Sequence, residues 1–277
     1  MNTNGDRRKG LTYTRCKRGY LDGPFGQIHY YELGSGPCLI LAHQSPLNGR
    51  QFEKGMSLLA AKGLRVIAID TPGYGNSDGP DEAPTIQDYA SIYPWVMKGL
   101  RETKAHFLGH HTGASILCAF AVAYPEYVSS LILNGPVIAT KEELKEFEGI
   151  HFGPPKISRD GSHLIEAWRV REHFTPGWTD EVVMHRRLVD QLWAGDKEWF
   201  GHYAAFEYDM ISDFIKLAVP TMIFTNTGDD AYKMALRAHK LRPEMTYCEL
   251  EGGTHDIVDE QPEAWANAVT GYIKDLT

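Results

Sequence analysis

No stretch of this 277-residue chain is apolar for long enough to cross a membrane. The longest, Ile116 to Tyr124, is about half of what a span needs. The chain also lacks a basic excess. Its 28 lysines and arginines stand against 36 aspartates and glutamates, a net charge of −8. That argues against a nucleic-acid partner or an anionic membrane surface, since both need a positive footprint. Cysteine is scarce. Cys16, Cys38, Cys118 and Cys248 form no CxxC pair, so thiols in a reducing compartment are expected, rather than zinc or a disulfide framework. The basic residues Arg7, Arg8, Lys9, Arg15, Lys17 and Arg18 are followed by no apolar stretch of the kind a secretory signal needs. A loose extension over 1–19 and a cytoplasmic location are therefore expected. What is present, 43% hydrophobic and 23% charged residues, suits a folded globular chain of one large α/β domain or two modest ones.

Strand-like and helix-like segments alternate from residue 25 onward. Ile28 to Leu33 has β-type composition and ends at the turn cluster Gly34-Ser35-Gly36-Pro37. Cys38–Ala42 and Arg65–Asp70 are short apolar runs, as strands buried on both faces show, with a helix over 50–62 between them. Thr85–Arg101 reads as one helix, opened by a capping box of Thr85 with Asp88 and kinked at Pro94. Ala105–Leu108 is a further strand, and Ala114–Tyr124 a helix with almost no polar face, hence buried. Ser130–Leu133, Thr221–Thr225 and Met245–Leu250 give three more strands. The last helix opens at Gln261-Pro262, with Trp265, Val269 and Ile273 on one face.

This alternation predicts an α/β fold with a mostly parallel sheet flanked by helices on both faces. From 139 to 216 the rhythm breaks. Helical patterns dominate there, with four of the six tryptophans (Trp168, Trp178, Trp193, Trp199). We expect a helical cap inserted into a core of residues 20–138 and 217–277. In open α/β sheets, ligands bind beyond the carboxyl ends of the strands. The side chains falling there are His43-Gln44-Ser45, Asp70, His110-His111-Thr112, Asn134, Asp229-Asp230 and His255.

Four of these segments resemble the α/β-hydrolase fold superfamily, from about residue 25 to the C-terminus. Asp70-Thr71-Pro72-Gly73-Tyr74-Gly75-Asn76-Ser77 is similar to its D-x-P-G-x-G-x-S loop, and Gly109-His110-His111-Thr112-Gly113 sits where its nucleophile elbow belongs. Val219 to Asp229 resembles the strand that delivers the acid, and Gly252-Gly253-Thr254-His255 with Pro262-Glu263 the loop and helix of the histidine. The resemblance implies His255 as base, with an acid at Asp229 or Asp230. Counting from Pro220 favours Asp229, and Asp230 suits a cap for a helix over Tyr232–Leu241.

The chain departs from the family at the elbow. Where the pattern G-x-S-x-G places serine, this sequence has His111, so an ordinary acyl-serine cannot form. Imidazole there can be a nucleophile or a base, because its ordinary pKa of ~6.5 lies near working pH, or can merely fill a tight turn. With Asp229 stabilising a cationic His255, His111 is expected to be the neutral partner. His43-Gln44-Ser45 replaces the usual H-G-x loop, so the resemblance puts oxyanion donors at Gln44 or Ser45 together with Thr112. His110 reads as core. No HxH, HExxH or Cys/His spacing supports a metal site of His110, His111 and His255, and no cofactor is expected.

The cap tryptophans Trp168, Trp178 and Trp193 are expected to line a pocket for an apolar or aromatic small molecule. The expected activity is hydrolysis of an ester, a lactone or a carbon–carbon bond beside a carbonyl. The alternatives are a lyase, decarboxylase or cofactor-independent oxygenase on the same scaffold, and a ligand-binding protein without catalysis. A small-molecule substrate is the expected partner, with a homodimer as a possible self-association.

Overall fold

A computed structural model describes residues 16–147 and 152–276. The chain opens with β1 (Lys17–Gly23), β2 (Gly26–Leu33) and β3 (Cys38–Ala42), followed after a 3₁₀ turn by α1 (Glu53–Ala61). β4 (Arg65–Ile69), α2 (Ile86–Ala90), α3 (Tyr93–Leu100), β5 (Ala105–His110), α4 (Thr112–Ala123) and β6 (Val128–Asn134) come next. Between β6 and β7 lie α5 (Lys141–Phe147), α6 (Ser162–Phe174), α7 (Glu181–Trp193), α8 (Phe200–Phe206) and α9 (Met210–Phe214). β7 (Thr221–Asn226), α10 (Tyr232–Leu241), β8 (Thr246–Leu250), α11 (Ile257–Glu260) and α12 (Pro262–Asp275) complete it.

The eight strands form one sheet in the order β1-β2-β4-β3-β5-β6-β7-β8. The β1–β2 and β2–β4 pairs are antiparallel and the rest parallel, as expected from strands alternating with helices. Successive strand residues point to opposite faces. Leu39, Leu41, Leu108 and Ile132 therefore join α1 and α12 on one side through Met56, Trp265 and Val269. Ile40, Phe107, Leu131 and Ile223 meet Tyr93, Leu117 and Ala235 on the other. α4 is buried along nearly its whole length, which its all-round apolar sequence requires. No helix among the described residues is long and apolar enough to cross a membrane.

Two expectations are corrected. Lys17–Gly19 pair with Tyr30–Glu32, so this part of the expected loose extension is an edge strand, while residues 1–15 lie outside the described residues. The single helix expected over 85–101 is two helices. The Thr85–Asp88 capping box forms, but Pro94 sits in the first turn of α3, where its missing N–H costs nothing. The stretch between β6 and β7 is helical, as its sequence suggested.

Candidate active site

The turn from β5 into α4 is tight. His111 sits at its apex with φ 49° and ψ −110°, a conformation that costs a β-carbon-bearing residue on the order of 1–3 kcal/mol. The flanking glycines make the turn sterically possible. A Cβ on Gly109 would lie 2.2 Å from the Gly113 carbonyl oxygen, and one on Gly113 would lie 2.2 Å from that of Ala42. The His111 N–H donates to the Asn134 carbonyl at 2.9 Å. Thr112 opens α4, so its own N–H has no intrahelical acceptor and points with the positive end of the helix dipole.

His111 and His255 meet at this apex, with ring centroids 4.1 Å apart and planes 50° apart. Each carries its own carboxylate. His111 Nε2 lies 3.2 Å from Asp229 Oδ2, and His255 Nδ1 lies 2.7 Å from Asp230 Oδ1. The expected pairing of Asp229 with His255 is thus corrected. Asp229 is buried and folds back over the turn after β7, its Oδ1 accepting the Ala231 N–H at 2.9 Å while Oδ2 reaches the elbow. Asp230, next in the chain, stays close to Asp229 but sits on the more open side, where its Oδ1 meets His255. The N-cap position of α10 is Ala231, which makes no side-chain cap, so Asp230 is no helix cap.

This pairing overturns the expectation that His111 is the neutral ring. Burial pulls the His111 pKa down, but the charge and hydrogen bond of Asp229, helped by Asp230 and Asp256, outweigh it and push the ring up to about 9. His111 is then an imidazolium at neutral pH, not the neutral partner. Both its nitrogens are donors. Nε2–H faces Asp229, and among the described residues Nδ1–H has no partner. Burial, seconded by His111 and His255, holds His110 well below the ordinary histidine value. Burial would raise Asp230, but the hydrogen bond and charge of His255 hold it well below the usual carboxylate range.

The 43–46 loop is fixed from inside. Thr71 N–H donates to His43 Nε2 at 2.9 Å, so His43 carries its proton on Nδ1 and donates it to the Gln44 carbonyl at 2.8 Å. His43 is therefore a strut of the loop. Gln44 N–H is consumed by Gln51 Oε1 at 2.9 Å. Ser45 N–H has only a long contact to Thr112 Oγ1, at 3.4 Å. Of the two loop donors suggested by sequence, Ser45 is the one left available.

The cap tryptophans do not meet the histidines. Trp193 lines a separate cavity of about 400 Å³ with Tyr31, Arg50, Asn76 and Asp190, and Trp178 a second cavity of about 370 Å³ beside Gly253 and Thr254. Trp168 is half-buried on α6. The aromatic side chain that does contact His255 is Phe174 at the end of α6, 5.6 Å away between centroids.

Sequence reasoning also missed three other neighbours. Burial and the nearby His255, Arg171 and His111 lower the pKa of His202, on α8, to about 4. Asp256, fully buried next to His255, accepts from Arg171 and from Gln44 Nε2 at 3.0 Å and is ion-paired with Arg187 Nη1 at 2.8 Å. Gly135, at φ +61°, leaves room for the His111–Asp229 contact: a Cβ there would lie 2.7 Å from Nε2 and 2.9 Å from Oδ2. Only its place directly after the β6 strand could have flagged it.

His111, Asp229, Asp230 and His255 each bring one donor atom within 4.8 Å of the others. By donor type, two imidazoles and two carboxylates suit a small divalent transition ion. In this arrangement they satisfy one another as two hydrogen-bonded pairs, and the proton on His111 supplies the positive charge. His110 is turned away towards Gln51.

A sequence profile of the alpha/beta hydrolase fold matches residues 37–262. The chain belongs to this family. Relatives include the 2-(acetamidomethylene)succinate hydrolase of Mesorhizobium japonicum, 25% identical over 262 residues, which cover 89% of this chain and 91% of that protein. The bifunctional epoxide hydrolase 2 of Sus scrofa is 31% identical over 138 residues, 47% of this chain. The match spans only 24% of that longer protein. Among solved structures, the enol-lactonase from Burkholderia xenovorans LB400 has the same fold, with a TM-score of 0.77 at 19% identity over 92% of this chain and 100% of that one.

Proposed function

We propose that this α/β-hydrolase family member acts on a small carbonyl compound, an ester, a lactone or a ketone with a cleavable neighbouring bond, by direct attack of water. The observation that carries the reading is the His111–Asp229 contact at the elbow, which puts a cation where an attacking oxygen would stand. His255 is the base. Asp230 on Nδ1 orients it and leaves Nε2 for water. As water bonds to the carbonyl carbon, its proton passes to His255 and negative charge grows on the carbonyl oxygen. That oxygen meets Ser45 N–H, Thr112 N–H and His111 Nδ1–H, each such donor contributing roughly 2.7–4 kcal/mol to the barrier reduction. Collapse expels the leaving group, which takes the proton from His255. No acyl-enzyme forms.

The helices between β6 and β7 serve as the cap, with Phe174 and His202 rather than the tryptophans on the substrate side. The names of two similar proteins, an enol-lactonase and a 2-(acetamidomethylene)succinate hydrolase, support small carbonyl compounds as the class. The same base and cation also suit proton abstraction beside a carbonyl, with the enolate held by His111. The absence of an acylable oxygen at the elbow favours that as the second reading.

The deciding experiment incubates the chain with 4-nitrophenyl esters, enol lactones and β-diketones in water labelled with heavy oxygen. Turnover should be steady from the first cycle, without a burst. The label should appear in the product acid, and sulfonyl fluorides should leave the elbow unmodified. Trapping of an acyl group on Ser45 or His111 would overturn the reading. Turnover without label uptake would move the chemistry to the lyase class. Ligand binding without any turnover would leave a binding protein.

A further inference from the structure

The buried polar groups that this chemistry leaves unused form one continuous hydrogen-bonded chain. Gln51 is almost wholly buried ahead of α1, and its Oε1 is already accepting the Gln44 N–H. The group it turns to His110 Nδ1 is therefore its amide Nε2, a donor. Nδ1 must then be the unprotonated nitrogen, and the neutral His110 ring carries its proton on Nε2. Gln44 extends the chain in the other direction. Its Nε2 donates to Asp256 Oδ1 at 3.0 Å, and Asp256 in turn accepts from Arg171 of α6 and lies 2.8 Å from Arg187 of α7. Every member is buried. The chain begins beside His111, passes through the loop that carries Ser45 N–H, and ends in the two helices that lie over the site.

The loop's other ties, the Leu47 N–H to the Gln44 carbonyl at 3.0 Å and the contacts of the Ser45 hydroxyl with Tyr74 and of the Ser45 carbonyl with His202, leave the Ser45 N–H itself unengaged. Ser45 N–H has only the 3.4 Å contact to Thr112 Oγ1, and His43 ties the loop to residue 71 rather than to the elbow. A glycine at position 44, as in the resembled H-G-x pattern, could not reach Asp256 at all. We propose that Gln44 and Gln51 are positioning residues that hold Ser45 N–H against the carbonyl oxygen, and that Gln44 makes this placement depend on the seating of α6 and α7. The proposal rests on the reading that Ser45 N–H meets developing charge. A contact that strengthens only in the transition state shows in kcat rather than in KM.

The test compares Gln51→Leu, Gln44→Met and Gln51→Glu in the full chain, using whichever ester, lactone or diketone the wild type turns over. Gln51→Leu and Gln44→Met should each lower kcat by about 100-fold with KM changed by less than about threefold. Gln51→Glu keeps the acceptor for Gln44 N–H and should recover about tenfold of that loss. Independently of turnover, the Gln44 amide should exchange with solvent about tenfold faster in Gln51→Leu, and the Ser45 amide likewise in Gln44→Met. Nitrogen NMR should show wild-type His110 protonated on Nε2 alone. The proposal is overturned by unchanged kcat in both apolar variants, by unchanged amide exchange, or by a wild-type His110 protonated on Nδ1. If the wild type turns over no carbonyl substrate, the proposed function fails, while exchange and the His110 proton still decide whether the loop is held as described.

Discussion

The His111 and His255 rings stand 4.1 Å apart, yet each hydrogen-bonds a different member of the Asp229-Asp230 dipeptide. Two adjacent carboxylates each take one of two imidazoles, and the four groups, with donor atoms within 4.8 Å of one another, form one coupled proton-handling cluster rather than a single-file relay.

The first consequence is a pH profile with its decisive limb on the alkaline side. The His111 pKa is raised above its ordinary value to about 9 by Asp229. A raised pKa means that the charged ring, and the stability it brings through Asp229, is fully present below about pH 6.5 and is lost as pH rises through the folded value. Turnover that needs the imidazolium should therefore fall with an apparent pKa near 9, a value belonging to the coupled pair. Rate against pH and carbon NMR of the His111 ring would measure it together. A rate that rises through neutrality and stays flat to high pH would restore His111 as a neutral base.

The two aspartates should fail differently. Asp230→Asn removes the group that orients His255, so kcat should drop by about 10³-fold with the alkaline limb in place. Asp229→Asn removes the main influence raising His111, so the alkaline limb should move to lower pH while His255 still activates water. Chelators should leave the wild-type rate unchanged, because the four donor atoms already satisfy one another in pairs. A rate that collapses with chelator and returns with zinc would place a cation in the cluster instead.

Most of the fold was legible because its strands are short apolar runs between turn residues, and the side-chain alternation of β3 and β5 decides which helix layer each residue meets. β1 was missed because Lys17–Gly23 is an edge strand with only Leu21 buried, so it reads as a charged tail. The helix break at Ser91-Ile92 was missed because Pro94 is as compatible with a helix start as with a kink. At the site, His111 and His255 were legible from strand-end position and motif. The pairing was not, since it turns on which way two consecutive side chains leave the turn after β7. Gln51 and Asp256 were invisible for another reason: their contacts join distant segments, as the 212-residue separation of Gln44 and Asp256 illustrates.

Gly135 tests the elbow contact without touching either partner. Gly135→Ala places a Cβ in the left-handed region and within 2.9 Å of both His111 Nε2 and Asp229 Oδ2. The backbone strain should cost about 1–2 kcal/mol in urea unfolding. The displaced ring should lower kcat by about tenfold or more, since small misplacements at a reacting centre are amplified in rate. If the variant loses the stability but keeps the rate and the alkaline limb, the His111–Asp229 distance is not what the chemistry depends on.

The latch between the helical insertion and the core gives the last prediction. Arg187 is fully buried and touches two carboxylates one turn apart on the chain, Asp256 at 2.8 Å and Asp259 at 2.8 Å, while Arg186 reaches the same Asp259 at 2.7 Å. Replacing one partner of such a cluster strands the others without water, so Arg187→Met should destabilise by about 3–5 kcal/mol. The same cluster sets an acid limit. Burial alone would raise Asp256, but Arg187 and Arg171 hold its pKa well below the usual carboxylate range. A depressed pKa contributes stability above the unfolded carboxylate value, about 3.9, that is lost as pH falls below it. Melting temperature should therefore drop steeply below about pH 4 in the wild type, and less steeply in Arg187→Met, which has already lost part of the pairing. Equal slopes in the two proteins, with equal stability at neutral pH, would show that α6 and α7 are held by apolar contacts and that the buried ions are incidental to seating them.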